Sequence, residues 1–204
     1  HLDHGDSYEL VAQCLDAGCD SVMIDASEKP LKENIKLTRR VVRLAKQYGA
    51  SVEAELGYIA KLGQRTGEMG YTEPHEAKLF VEETGVDALA VAIGSVHGFY
   101  KAEPKLDVRR LAKIRQETEA VLVLHGASGI PGNMLRQAVQ NGICKINLAT
   151  EIKNIFMQTL RDNLKGKDEI DLRKIFPPAT DAVTKLVQHK MQTIQLKRTE
   201  KNII

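Results

Sequence analysis

The sequence predicts an α/β fold with parallel strands, closed as a (β/α)8 (TIM) barrel, and three observations carry that expectation. Short apolar runs alternate with segments of helical periodicity along the whole chain, with no shift in composition that would mark a linker. His4, Asp25, Glu55, His97, His125 and Asn147 fall at or just beyond the carboxyl ends of successive runs, one per unit. A barrel gathers such ends at one mouth, where the active sites of this fold sit, whereas an open doubly wound sheet spreads them along an edge. Length is the third observation. A barrel takes about 250 residues, so a chain of 204 residues with six strand-like runs is expected to lack the first two βα units, which would precede His1.

Taken in order, His1 to His4 reads as the end of a strand. Asp6, with Glu9 three residues on, predicts a capping box for a helix that turns Leu10, Cys14 and Leu15 inward and stops at Gly18. The second strand is 21–25. Pro30 opens a helix with Leu31, Ile35, Val42 and Ala45 on its apolar face and Gly49 at its end. In the third strand, 51–57, Glu53 and Glu55 share a face because side chains alternate along a strand. Thr72, Glu73 and Pro74 start a helix that buries Ala77, Phe80 and Val81 and ends before Gly85. The fourth strand, 88–94, is apolar throughout and leads to His97 and Gly98, after which Asp107 caps a helix through Leu111 and Ile114.

Val121 to Leu124 are four consecutive large apolar residues, as in a strand covered on both faces. His125 then emerges before a loop of small residues, Gly126 to Gly129. Pro131 starts a helix carrying Met134, Leu135, Ala138 and Val139, stopped by Gly142. The sixth strand, 143–148, ends at Ala149 and Thr150, with Thr150 positioned to cap the next helix. A terminal helical segment, about 165–204, begins with charged residues, is broken at Pro177 and Pro178, and resumes with Val183, Leu186, Val187 and Met191. All of 1–204 reads as a single domain.

Composition excludes several classes of partner. Apolar residues at 43% and charged residues at 27% are ordinary for a globular protein, and 29 basic against 27 acidic residues give no electrostatic case for nucleic acid or a membrane surface. Cys14, Cys19 and Cys144 are odd in number and lack a CxxC spacing, which suits reduced thiols in a cytoplasmic protein. No apolar run approaches the roughly 18 residues of a membrane span.

The chemistry is expected at the strand ends. His4, His97 and His125 supply three imidazoles from three strands, the donor set of a catalytic zinc site that keeps one position open. Asp25 and Glu55 read as carboxylates behind those ligands, as a second metal position, or as ordinary acids at a barrel mouth. Lys145 shares parity with Asn147 and offers a Schiff-base alternative. His75 and His189 read as surface residues. The loops after the last two strands, Gly126, Ala127 and Ser128 and then Asn147, Leu148, Ala149 and Thr150, stand where barrels commonly bind phosphate.

These motifs resemble a known family. His1 to His4 (HLDH), Ala90 to Gly94 running into His97 and Gly98, Val123 to Gly129 (VLHGASG) and Lys145 to Glu151 (KINLATE) look like the class II, zinc-dependent ketose-bisphosphate aldolases of the fructose and tagatose type. The resemblance implies His4, His97 and His125 as zinc ligands, Asp3 as acid/base for the hydroxyl of the cleaved carbon, and Asp25 and Glu55 as a second metal position. It implies that Gly98, Gly126 to Ser128 and Asn147 to Thr150 bind dihydroxyacetone phosphate, with a monovalent cation (Na+ or K+), in a homo-oligomer, dimer or tetramer. The family's acidic loop after the third strand corresponds here to 58–70, with Glu68 its only acid. A non-catalytic barrel subunit or inactive fragment, and a metal-free phosphate-binding barrel enzyme, are the competing readings.

Overall fold

The computed structural model describes residues 1–59, 70–100 and 102–195. Its elements alternate: β1 (Leu2–Gly5), α1 (Tyr8–Asp16), β2 (Ser21–Ile24), α2 (Leu31–Tyr48), β3 (Ser51–Leu56), α3 (Pro74–Thr84), β4 (Ala88–Val91), α4 (Val108–Glu117), β5 (Val121–Leu124), α5 (Gly132–Gln140), β6 (Ile143–Ile146), α6 (Thr150–Leu164) and α7 (Leu172–Ile194). The six strands form one sheet in sequential order, every neighbouring pair parallel. This is the strand order of a (β/α)8 barrel over six consecutive βα units.

Alternation assigns the two faces of the sheet. Val22, Ile24, Val52, Ala54, Leu89, Val91, Leu122 and Leu124 point outward and pack with Val11, Leu15, Val41, Phe80, Leu111, Ile114 and Leu135 of the helices. Between them, Met23, Glu53, Glu55, Ala90 and Val123 point the other way, and all five are buried. Glu53 lies opposite Ala88 and Glu55 opposite Ala90, so small neighbours on β4 leave room for two glutamates on one inner face.

Several helix ends match the sequence and several correct it. Gly49 and Gly85 close α2 and α3 in the left-handed conformation, with φ of 66° at each, and the Asp107 side chain accepts from Arg110 N–H at 2.9 Å. The Asp6 capping box does not form. Ser7, extended at φ −147° and ψ 153°, is the N-cap of α1 and its hydroxyl accepts from Leu10 N–H. Pro30 and Pro131 occupy N-cap positions of α2 and α5 instead of the first turn. Thr150 does not cap α6 but is its first helical residue. Ser128 Oγ, from the preceding loop, accepts from Glu151 N–H at 3.1 Å in its place.

Pro177 and Pro178 lie inside α7 and do not break it. Each removes one intrahelical N–H, a loss confined to the second turn, while the rest of α7 packs along α6 and α5 and holds the helix together. The connection expected to carry Glu68 falls largely in 60–69, outside the described residues. Among the described residues, no helix is long and apolar enough to cross a membrane.

Candidate metal centre and active site

Adjacent residues on a regular strand point to opposite faces, so Asp3 and His4 cannot both reach a barrel mouth from an ideal β1. His4 resolves the conflict. It is the one non-glycine among the described residues with positive φ, 53°, and the register of β1 on β2 shifts between Leu2 and Gly5 at the same place. Left-handed backbone is costly for a residue with a Cβ, and such outliers gather at functional sites. The adjoining Gly5 has no room for a side chain: a Cβ there would stand 2.6 Å from Met23 O.

Three imidazoles meet as a result. The ring centroids of His4 and His125 are 4.7 Å apart, those of His4 and His97 5.1 Å, and those of His97 and His125 5.8 Å, all edge to face. One donor atom from each of His4, His97, His125 and Glu55 lies within 4.8 Å of the others. Around them, His97 Nε2, His125 Nδ1 and Glu55 Oε2 are buried without a hydrogen-bond partner. Glu55 Oε2 and His125 Nδ1 are 3.0 Å apart, yet outside hydrogen-bond geometry. Buried polar atoms are rarely left unsatisfied. Two orphaned imidazole nitrogens and a carboxylate oxygen converging on one point fit a divalent cation.

Asp25 stands behind the cluster. Its Oδ2 is 2.8 Å from His4 Nδ1, and its Oδ1 accepts from Ser27 N–H and O–H, at 3.2 and 2.7 Å. The carboxylate thus orients His4 and leaves Nε2 of that ring for a ligand. Burial opposes ionisation of Asp25, but the bonds from His4 and Ser27 outweigh it and hold the carboxyl well below its usual range. The hydrogen bond to Asp25 likewise raises the pKa of His4. Burial raises that of Glu55. Burial, with His4 and His125 nearby, lowers His97 to about 4, so its imidazole is neutral and able to donate a lone pair. His125 is also desolvated, but Glu53 and Glu55 overcome that and push it up to about 9.

Asp3 faces this cluster from β1, exposed, with its Oδ1 accepting from Asn147 Nδ2 at 3.0 Å. The loops after β4, β5 and β6 are knit together beside it. Ala127 N–H donates to Asn147 O at 3.4 Å, and Tyr100 O–H donates to Gly126 O at 2.9 Å while accepting from Val96 N–H at 3.1 Å. Gly126 has φ 67°, and a Cβ there would stand 2.4 Å from Val96 O. Gly98 is buried, with φ 100°, one residue beyond His97. Ala149, the N-cap of α6, supplies no side-chain cap.

The structure therefore gathers His4, His97, His125, Glu55, Asp3 and Asn147, and puts the Gly126 to Ser128 and Asn147 to Thr150 loops in contact. His75 and His189 are exposed, as expected. Lys145 is not a free amine, since its Nζ is 2.5 Å from Glu53 Oε2. The sequence assigns no role to Glu53 or Tyr100. Glu53 was detectable from its parity with Glu55, whereas nothing in the sequence singled out Tyr100.

A histidine-rich donor set with orphaned lone pairs, at the carboxyl ends of parallel barrel strands, defines a metal-dependent barrel enzyme. The family model of class-II fructose-bisphosphate aldolase matches residues 1–199. The chain belongs to that family. It is 45% identical over 197 residues to the fructose-bisphosphate aldolase of Geobacillus stearothermophilus, and 44% to that of Staphylococcus aureus (strain Mu50), covering 94% of this chain and 68% of each relative. Among solved structures it is similar to the YdjI aldolase from Escherichia coli K12 (TM-score 0.82, 38% identity, 94% of this chain and 67% of that one). A putative fructose-1,6-biphosphate aldolase from Coccidioides immitis superposes with a TM-score of 0.85 at 30% identity, covering 95% of this chain and 70% of that one.

Proposed function

We propose that this aldolase reversibly cleaves a ketose 1,6-bisphosphate of the fructose or tagatose type to dihydroxyacetone phosphate and glyceraldehyde 3-phosphate, with zinc held by His4, His97 and His125. The observation that carries the reading is the convergence of buried, unpartnered donor atoms at that point. A bound divalent ion supplies Lewis acidity toward the substrate ketone. Asp25 orients His4 for that ion, and Glu55 offers the oxygen of a second metal position. Asp25 itself is bonded to His4 and Ser27, which supports a role behind the ligand.

The remaining steps fall to the chain's own groups. Asp3, exposed beside the cluster, accepts the proton of the hydroxyl on the carbon that leaves, and Asn147 Nδ2 holds its carboxylate in place. The substrate phosphate is assigned to Gly98, to Gly126, Ala127 and Ser128, and to Asn147, Leu148, Ala149 and Thr150, where α6 begins without a cap of its own. A monovalent cation is assigned to the same loops. Fixing the phosphate there sets the distance from the anchored end of the substrate to the three imidazoles, which is an orientational contribution. We assign the protein to the cytoplasm, in keeping with three free cysteines, and to a homo-oligomer.

The test is zinc content and bisphosphate cleavage measured on the same preparations. Stoichiometric zinc and cleavage should both disappear in His125→Ala. Cleavage that survives complete removal of metal would defeat the reading.

A further inference from the structure

Two carboxylates flank His125, and the converging donor set uses only one of them. The other belongs to Glu53, which is 2% exposed on the inner face of β3. Its Oε1 lies 2.9 Å from His125 Nε2, and its Oε2 lies 2.5 Å from Lys145 Nζ, on β6. A carboxylate this deep is costly to desolvate unless it is paired, and here both oxygens are used.

The consequence for His125 follows from counting protons. As a metal ligand the imidazole is neutral, with one N–H and one lone pair on opposite nitrogens. Asn147 Nδ2 also approaches Nε2, at 3.2 Å, but that amide nitrogen carries donors only and donates to Asp3 Oδ1. The nearer partner, Glu53 Oε1 at 2.9 Å, is a carboxylate oxygen that only accepts, so Nε2 carries the proton. With the proton held on Nε2, the lone pair lies on Nδ1, the buried atom left without a hydrogen-bond partner in the converging set.

We infer that Glu53 is a positioning residue of the metal centre: it fixes the tautomer and ring orientation of His125, and Lys145 anchors it from across the sheet. The inference rests on reading His125 as a metal ligand. Partners of this kind typically contribute 10- to 100-fold to metal affinity.

Zinc affinity of the purified protein, measured by chelator competition, tests it independently of turnover. Glu53→Ala should weaken zinc binding roughly 10- to 100-fold, Glu53→Gln about 10-fold, and Lys145→Met less than either. In a His125→Ala background, Glu53→Ala should add almost nothing, because it acts through a ring that is no longer there. Full additivity of the two losses, or wild-type affinity in both Glu53 variants, would overturn the inference. If Glu53→Ala does not fold, the nearly isosteric Gln variant decides between the same outcomes. Wild-type affinity in His125→Ala alone would instead remove the metal-site reading, and this inference with it.

Discussion

Asp3 and His4 are neighbours in the chain, but they should fail differently. On the proposed roles, His4→Ala should release zinc. Asp3→Asn keeps the shape and the contact with Asn147 while removing the proposed proton acceptor, so cleavage should drop by about 10²- to 10⁴-fold with zinc still bound. With Asp3 in that role, exchange of the carbon-bound proton of dihydroxyacetone phosphate with solvent should persist. Equal losses in exchange and cleavage would make Asp3 the carbon base instead. At this scale the sequence announced the two residues by their position at a strand end. It did not announce the left-handed backbone of His4 that lets both face the same way. Nor did it reveal the partner of Glu53, because Lys145 is 92 positions away, on a strand three removed from β3 in the sheet.

The loops after β4 and β5 act as one element because Tyr100 clasps them. Tyr100→Phe strips the partner from Gly126 O and from Val96 N–H, each of which then lacks a bond worth about 1–3 kcal/mol where it is buried. The expected result is a lower denaturant midpoint, together with a higher KM for bisphosphate and little change in zinc content. A variant with unchanged midpoint and KM would show that the clasp is dispensable. Element ends were legible where a side chain signals geometry locally, as at Gly49, Gly85 and Asp107. They were illegible where tertiary structure supplies the partner. Ser128 reaches into the first turn of α6 from another loop, and packing on α6 and α5 carries α7 through two prolines that looked like a break.

For the molecule as a whole, the outward face of the sheet carries stability and the inward ends carry chemistry. Phe80, fully buried on the core face of α3, illustrates the separation. Phe80→Ala should cost about 3–5 kcal/mol, read as a shift in the unfolding midpoint, while zinc affinity of the still-folded protein stays at its wild-type value. A matching fall in zinc affinity would show that the two faces are coupled. The barrel order was legible because each strand pairs with its sequence neighbour and each contributes a polar residue at the same end. That sequential order also fixes a timetable. A chain emerging from its amino end can add one strand at a time, every pairing made with the segment just completed. Yet Asp3 meets Asn147 across an interval of 144 residues, and Glu53 is anchored by Lys145 only once β6 has arrived. Growing chains should therefore gain structure steadily, while the Asp3 and Glu53 carboxylates reach their partners only after synthesis has passed Asn147.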